Sequence, residues 1–297
     1  MLKKEFVELV VNEIKSIVGD NAEVRHNEMR KNNGVVLNGI SILMPEETIS
    51  PVAYIESYVK DECETDENEI HNIAIEIITT IAEFRNNPIT QIDKDNFTNF
   101  EYVKNKLRII LLNYNANREM LENLPHEIFL DLAVICCIKV GDNGMIKVSN
   151  DLLNTYGITK GTLFDIAYEN TPKLEPAVGM NIEKLMFGLV SEELDDFILD
   201  DTTLPMYVLT NKSKYYGATT ILYNGLLDKL SSNINKDLLV IPSSIHEALI
   251  LPYKNGLDSE VVTDMVRDVN QKEVQEEEIL SNHAYIYRRD TKKIEII

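Results

Sequence analysis

The stretch EVRHNEMRKNNGVVLNGISIL, residues 23–43, decides the fold class of this chain. Its two arms, EVRHNEMR and GVVLNGISIL, have the lengths of strands. The intervening KNNG supplies Asn and Gly, which readily take the positive φ angles of a tight hairpin turn. The stretch therefore predicts an antiparallel hairpin, the building block of an antiparallel sheet.

Two helical patterns flank this hairpin. Before it, apolar residues recur at helical spacing up to a stop at Gly19, at positions Phe6, Leu9, Val10, Ile14, Ile17 and Val18. After it, ISPVAYIESYVKD continues as a strand or a short helix. A further helix, capped by Thr65 or Asp66 and ending before Pro88, has the stripe Ile70, Ile73, Ala74, Ile77, Ile78, Ile81 and Phe84. The first part of the chain thus predicts a helix-hairpin-helix arrangement.

The middle of the chain combines a second hairpin with a helical block. We expect a strand in KLRIILLNY, a short helix in ANREMLENLP, and a hairpin of IFLDLAVICCIKV with MIKVS around GDNG. Helices are predicted in NDLLNTYGI, which Gly157 ends, and in TKGTLFDIAYENTPKL, which Thr159 or Thr162 caps. MNIEKLMFGLVSEEL continues the helical block.

The last third mixes short strands with helices. Strands are predicted in MYVLTN, DLLVIP and EALILPY, and YYGATTILYNGLLDKLSSNI is interpreted as a strand running into a helix. LDSEVVTDMVRDVNQ predicts a helix that places on one side Val261, Val262, Met265, Val266 and Val269. HAYIYRRDTKKIEII predicts a hairpin that turns at residues 289–292.

Strand pairs and helices segregate rather than alternate as βαβ units, which predicts an α+β fold of antiparallel hairpins and sheets packed with helices. A chain of 297 residues favours two domains. The polar, turn-rich NNPITQIDKDNFTNF places their boundary near residues 88–100. We expect an N-terminal α+β domain over residues 1–90. The C-terminal α+β domain is expected over residues 100–297, with its helical block at about 150–200.

The net charge of −20, from 49 acidic and 29 basic residues, limits the kinds of partner that the protein is expected to bind. A broad negative field repels nucleic-acid phosphates and anionic lipid headgroups, whose binding depends on Lys and Arg. The charge therefore disfavours nucleic acid and membrane and favours a basic protein partner. The oligomeric state is left open.

The cellular location is predicted from the chain start and the cysteines. The first helix is interrupted by charges, unlike a signal peptide, and no run approaches the roughly 18 apolar residues needed to cross a bilayer. Three cysteines, two of them adjacent at 136 and 137, do not make a disulfide framework. We expect a cytoplasmic protein with reduced thiols.

Five segments, spread in order over most of the chain, resemble a family of uncharacterised bacterial proteins, the domain-of-unknown-function family 5688. The segments are KNNGVVLNGISI, ISPVAYIESY, MYVLTNKSKYYGATTILYNGLLDKL, VIPSSIHEALILPY and HAYIYRRD. That resemblance implies no activity, cofactor or catalytic residue, because the family has none assigned. The segment LLNTYGITKGTLFDIAYENTPKL is also similar to a helical part of the YtpP/YtpQ-like proteins of unknown function.

The stretch IPSSIHE, residues 241–247, is the candidate catalytic site. Ser243 or Ser244 with His246 and Glu247 offers a nucleophile, a base and a carboxylate, the groups that a serine hydrolase needs. The G-x-S-x-G signature of α/β-hydrolases is absent. The plainer interpretation is a turn in which Ser243 or Ser244 accepts a backbone N–H and His246 and Glu247 begin the next strand. We favour the turn.

A candidate ligand- or partner-binding loop precedes GATT. It concentrates donors and aromatic rings before a glycine that permits close approach of a ligand or backbone, at Lys212, Lys214, Tyr215, Tyr216 and Gly217. No phosphate-loop pattern is present, and a polar loop entering a buried strand is the simpler interpretation. If a groove exists, it should lie between this loop and IPSSIHE, because both precede strands of one sheet.

No metal or cofactor site is expected. The five histidines show neither an H-x3-H nor an HExxH spacing. The acidic runs DECETDENE and SEELDDFILDD lack the glycine of a calcium loop, so solvated faces explain them better than weak cation binding.

Absence of catalytic and cofactor motifs, together with the acidic surface, predicts a non-enzymatic interaction or regulatory protein. The alternative is a hydrolase using Ser243 or Ser244 with His246. A nucleic-acid-processing accessory is a third, electrostatically disfavoured, hypothesis.

Overall fold

The computed structural model describes residues 4–45, 47, 50–59, 66–86, 96–140, 144–182, 206–242, 244–254 and 256–297. These residues form an α+β fold in which all paired strands are antiparallel, so the predicted fold class is confirmed. The chain divides into two compact units, Met1–Ile92 and Asp93–Ile297. Most of the polar stretch expected to separate two domains lies outside the described residues.

The first unit is a three-stranded sheet with two helices. Its elements are α1 (Lys4–Val18), β1 (Glu23–Arg30), β2 (Val36–Leu43), β3 (Val52–Tyr54) and α2 (Glu67–Asn86). The sheet order is β1-β2-β3, and the hairpin closes with Arg30 opposite Val36. The predicted KNNG turn is confirmed, since Asn33 and Gly34 both have positive φ. The core consists of apolar residues from both helices and the sheet, including Phe6, Val10, Ile14, Ile40, Ile42, Ile70, Ile77 and Ile81.

Two open points of this unit are resolved. After Pro51 the chain forms both alternatives in succession, strand β3 and then a 3-10 turn at Ile55–Tyr58. Asp66 caps α2, because its carboxylate accepts the backbone N–H of Asn68 at 3.1 Å.

The second unit contains a four-stranded sheet with short helices around it. Its strands are β4 (Leu107–Asn113), β5 (His126–Phe129), β6 (Leu132–Val140) and β7 (Gly144–Lys147), in the order β4-β6-β5 with β7 also paired to β6. The helices are α3 (Phe100–Val103), α4 (Arg118–Leu121), α5 (Asn150–Tyr156) and α6 (Lys160–Leu174). Thr159 is the cap of α6, accepting the N–H of Thr162 at 3.1 Å. Gly157 ends α5 in a left-handed conformation, as expected.

The same unit contains a six-stranded sheet. Its strands are β8 (Ala177–Asn181), β9 (Tyr207–Asn211), β10 (Leu238–Ile241), β11 (Ala248–Pro252), β12 (Tyr285–Arg288) and β13 (Lys293–Ile296), with helices α7 (Leu226–Ile234) and α8 (Ser259–Glu273). The strand order is β13-β12-β10-β11-β9-β8. One face of this sheet joins a shared core with the four-stranded sheet, through residues that include Tyr207, Leu209, Leu238, Val240, Ile250 and Tyr285.

Two element predictions were wrong, and a third lies mostly outside the described residues. IFLDLAVICCIKV is not one strand, because the chain reverses at Leu130 and Asp131 to form the β5–β6 hairpin. The strand expected in YYGATTIL is a 3-10 helix over Gly217–Leu222, which follows a left-handed Tyr216 that breaks any extended conformation. Of the helix predicted in MNIEKLMFGLVSEEL, the first two residues end β8 and Ile182 is helical, whereas residues 183–194 lie outside the described part.

The C-terminal hairpin is confirmed, with Arg288 opposite Lys293. Within the described ranges, no helix combines the length and apolar character required to span a bilayer.

Candidate functional site

One end of the six-stranded sheet brings together the loops that the sequence analysis singled out. Ala248 pairs with Leu209 and Val240 pairs with Tyr285. Strand β9 therefore ends, and strands β11 and β12 begin, at the same edge as the end of β10. We define the sheet rim as residues 212–217, 244–247 and 276–284.

His246 is fixed at the centre of the rim by three contacts, one through its backbone and two through its imidazole. The hydroxyl of Ser244 accepts the backbone N–H of His246 at 3.0 Å, which holds the turn. Nδ1 of His246 accepts the backbone N–H of Tyr216 at 3.3 Å. Nε2 lies 3.2 Å from a carboxylate oxygen of Glu278 and donates to it. Both ring nitrogens are therefore engaged, and the arrangement selects the Nε2–H tautomer.

Aromatic contacts surround this imidazole. The ring centroids of Tyr215 and Tyr216 lie 5.5 Å and 5.9 Å from that of His246. The two tyrosine rings themselves meet edge to face at 4.7 Å. These spacings are those of favourable ring pairs, so the loop aromatics pack on the histidine.

Gly217 lets the two loops touch. A Cβ at this position would lie 2.0 Å from Oγ1 of Thr210 and 2.5 Å from the carbonyl oxygen of His246. The same Oγ1 donates to that carbonyl at 2.7 Å. The sequence analysis expected this glycine to permit close approach of either a ligand or the backbone. The structure shows close approach of the backbone.

The loop before Gly217 is strained and tightly held. Lys214 and Tyr216 both have left-handed backbones, with φ of 55° and 52°. The Asn211 side chain compensates, accepting the N–H of Tyr215 at 3.2 Å and donating to its carbonyl at 2.9 Å. Lys212 and Lys214 are exposed, and neither ammonium group pairs with a carboxylate within the described ranges.

The expected meeting of the two loops is therefore found, but without the geometry of a hydrolase. Ser243 lies outside the described residues. Ser244 is nearly buried, and its oxygen serves the turn. Glu247 contributes only its carbonyl, which accepts the N–H of Ser244 at 3.5 Å. Strand β11 begins at Ala248, so His246 and Glu247 belong to the turn and not to the strand.

Helix α8 has an apolar stripe on its outer surface. Val261, Met265 and Val269 are 54%, 64% and 47% exposed, respectively. Their spacing of four residues places them on one stripe of the helix. The neighbouring Val262 and Val266 are buried with Leu239 and Ala284. The five residues that the sequence places on one side of the helix therefore form two groups. Val262 and Val266 are buried, whereas Val261, Met265 and Val269 form an exposed stripe, which we call the α8 stripe.

Carboxylates lie beside this stripe. Asp264 and Asp268 precede Met265 and Val269 in sequence and expose most of their side chains. Each also pairs with a base of the same helix, Arg267 or Lys272.

A family model described as a family of unknown function (DUF5688) matches residues 3–289. The chain belongs to this family. No curated protein and no solved structure matches the chain. The similarity of residues 152–174 to the YtpP/YtpQ-like proteins gains no support from these comparisons.

Two features of this DUF5688 protein escaped the sequence analysis as functional candidates. In the sequence, the apolar residues of α8 cover an arc of the helix surface that is wider than one buried contact requires. This width is the signal that could have indicated the α8 stripe. The second is a cluster of Asp131 with His283, 152 positions apart, for which no local signal exists. In the described ranges, no three His, Cys, Asp or Glu side chains gather as metal ligands.

Proposed function

We propose that this DUF5688 protein is a non-enzymatic, acidic interaction protein of the cytoplasm that binds a basic amphipathic helix of a partner protein through the α8 stripe. The observation that supports this proposal is that Val261, Met265 and Val269 are exposed in consecutive turns of one helix. An amphipathic helix recognises such a stripe by laying its own apolar residues along it at the same spacing.

Charge supports a basic partner. The chain has a net charge of −20, and Asp264 and Asp268 border the stripe. A partner whose lysines or arginines flank its apolar residues would be steered towards this surface and oriented on it. A nucleic acid or a second copy of this acidic chain would instead be repelled.

We favour binding over catalysis at His246. A general base must have a free nitrogen within reach of the nucleophile's proton, whereas both nitrogens of His246 are engaged by Tyr216 and Glu278. The alternative, a hydrolase using Ser243 or Ser244 with His246, has no described contact in its favour. The loop of Lys212, Lys214, Tyr215, Tyr216 and Gly217 stays in the proposal as a second binding position, because strained backbones concentrate at functional sites.

The cytoplasmic part of the proposal rests on two thiols. Cys136 and Cys137 are free and buried. Burial raises the pKa of the Cys137 thiol to about 12, so it packs as a small apolar group. Free cysteines of this kind are typical of reducing compartments.

The experiment uses a fluorescent Leu/Lys amphipathic helical peptide as the probe and measures its anisotropy on titration with the full chain. We expect saturable binding that weakens with salt. The triple variant Val261→Ser, Met265→Gln, Val269→Ser should lose affinity by about tenfold or more, since each removes apolar area from the interface. These exposed positions leave the fold intact.

The matched control is Gln271→Ser, an exposed change elsewhere on α8, which should bind like the wild type. A Leu/Glu peptide of the same length should not bind. Equal affinity of the triple variant, or equal binding of the acidic peptide, would contradict the proposal. A lysate pull-down with the same three proteins then identifies the partner, provided that its capture is lost only in the triple variant.

A further inference from the structure

The carboxylate of Asp131 is the centre of a second cluster at the sheet rim. It accepts three hydrogen bonds, from the hydroxyl of Ser281 at 2.6 Å, from Nδ1 of His283 at 2.9 Å and from the hydroxyl of Tyr285 at 2.6 Å. Its side chain is only 13% exposed. These three donors fix the orientation of the carboxylate.

The backbone that presents His283 is fixed from several sides. The hydroxyl of Ser281 accepts the N–H of His283 at 2.9 Å. The amide of Asn270, buried in α8, donates to the carbonyl of Ser281 at 2.9 Å. The amide of Asn113 at the end of β4 donates to the carbonyl of Leu280 at 2.9 Å. The imidazole therefore sits on a rigid segment.

Asp131 is placed by a strained turn. Leu130, the residue before it, has a φ of 58°. Branched side chains rarely adopt this conformation. The β5–β6 hairpin tolerates this strain while it directs Asp131 at the segment of His283.

The chemistry of His283 differs from that of His246, although both follow a serine two residues earlier whose hydroxyl accepts the histidine N–H. His246 uses both ring nitrogens. In His283, Nδ1 faces the carboxylate of Asp131 at 2.9 Å, an arrangement that favours the Nδ1–H tautomer and leaves the lone pair on Nε2. The side chain is 39% exposed, and Nε2 has no partner within the described part of the chain.

We propose that His283 is a nucleophilic histidine whose Nε2 accepts an acyl group from a neutral activated acyl donor. This proposal does not depend on the proposed function. Asp131 supports the nucleophile in two ways. It selects the tautomer with the lone pair on Nε2, and its charge stabilises the imidazolium that forms on attack.

The step balances without an oxidant or metal. The Nε2 lone pair forms a bond to the carbonyl carbon of the donor, and the bond from that carbon to its leaving oxygen breaks. The leaving group departs with the electron pair. The acylimidazolium then loses its Nδ1 proton towards Asp131 and on to solvent, which leaves the acyl group on Nε2 as a modification of the protein.

We specify a neutral acyl donor because the carboxylate of Asp131 would repel an anionic one. In the described ranges, no lysine or arginine pairs with Asp131 or His283. A phosphoryl donor would bring anionic oxygens next to a carboxylate with no cation to compensate. Neutral esters and anhydrides avoid this repulsion.

The test uses diethyl pyrocarbonate as the acyl donor at about pH 8, above the ordinary pKa of histidine. Peptide mass spectrometry follows the rate of modification at each of the five histidines. We expect His283 to react faster than His246, whose two ring nitrogens are both engaged. A rate at or below that of His246 would overturn the proposal.

Two variants test the role of Asp131. Asp131→Asn keeps the shape but can donate to Nδ1, so the rate at His283 should fall about tenfold or more while the other histidines are unchanged. Tyr285→Phe removes another donor from the same carboxylate and should leave the rate at His283 near the wild-type value. A loss in both variants, or in neither, would indicate a purely structural cluster.

A measurement on the wild type covers the case in which Asp131→Asn does not fold. Nitrogen-15 NMR of the imidazole rings distinguishes the two tautomers. We expect Nδ1–H in His283 and Nε2–H in His246. Finding Nε2–H in His283 would refute the proposal without any variant.

Discussion

The backbone N–H of Tyr216 donates to Nδ1 of His246 across 3.3 Å, joining two loops that are 30 residues apart. On its other side the same ring donates to Glu278 at 3.2 Å. His246 therefore connects three segments of the sheet rim, and its substitution tests whether that connection is structural.

We expect His246→Asn to be milder than His246→Ala. An Asn oxygen can replace Nδ1 as the acceptor for Tyr216 and loses only the contact with Glu278, at a cost of about 1 kcal/mol. Alanine loses both hydrogen bonds and the packing of Tyr215 and Tyr216, at about 3 kcal/mol. Urea unfolding measures both. Equal midpoints for wild type and alanine variant would show that the contacts contribute nothing.

Gly217→Ala should destabilise the protein by about 3 kcal/mol or more, because the new Cβ would collide with Thr210 and with the carbonyl of His246. The control is Gly161→Ala in α6, where the nearest atom to a Cβ is 3.8 Å away. That change should stabilise the helix by up to about 0.5 kcal/mol. Similar thermal shifts for the two variants would be inconsistent with the close approach at Gly217.

The geometry of His246 predicts that a fluorophosphonate probe will not label the protein. Ser244 has no activated oxygen, since its hydroxyl accepts the N–H of His246 and no ring nitrogen is free to take its proton. Ser244→Ala should fold and lose about 1 kcal/mol with the turn contact. Labelling of the wild type that disappears in Ser243→Ala or Ser244→Ala would restore the hydrolase hypothesis.

The α+β class was predictable because its signals are local. The KNNG turn and the stop at Gly157 were each expected from a few neighbouring residues, and Asp66 and Thr159 were each one of two caps that the local sequence allowed. The C-terminal hairpin belongs to the same group. Elements specified by their own turn and cap chemistry can therefore be predicted from one sequence.

The errors occur where tertiary contacts override local preference. TTIL has the β-branched composition of a strand, yet it forms a 3-10 helix, since Gly217 must pack against Thr210 and His246. Leu130 is an unusual residue for a left-handed turn, so the β5–β6 reversal has no turn signature. The pairing of Asp131 with His283 spans 152 positions and requires the folded sheet.

Alkaline pH should weaken the fold through the buried thiols. Burial raises the pKa of Cys137 to about 12 from an ordinary value near 9, so the folded chain keeps a proton that the unfolded chain loses. The unfolded state therefore binds fewer protons above about pH 9, and stability falls from there up to about pH 12. Urea midpoints across that range measure the decline. Rapid reaction of the native thiols with a disulfide reagent near neutral pH would argue against their burial.

Glu175 provides the largest electrostatic prediction. Its carboxylate is almost fully buried and lies 2.8 Å from Nζ of Lys139 and 3.4 Å from Nε of Arg108. Glu175→Gln would leave two partly buried cations without a counter-charge, which should cost about 3 kcal/mol of the free energy of unfolding.

The matched control for Glu175 is Glu169, in the last two turns of α6. Glu169 pairs with Lys173 at 2.6 Å, but both side chains are mostly exposed, so Glu169→Gln should leave the unfolding midpoint unchanged. The contrast between the two variants separates burial from mere proximity of charges. Equal effects would mean that Glu175 is screened by water in solution. A stabilised Glu175→Gln variant would mean that desolvation of the carboxylate outweighs its attraction to Arg108 and Lys139.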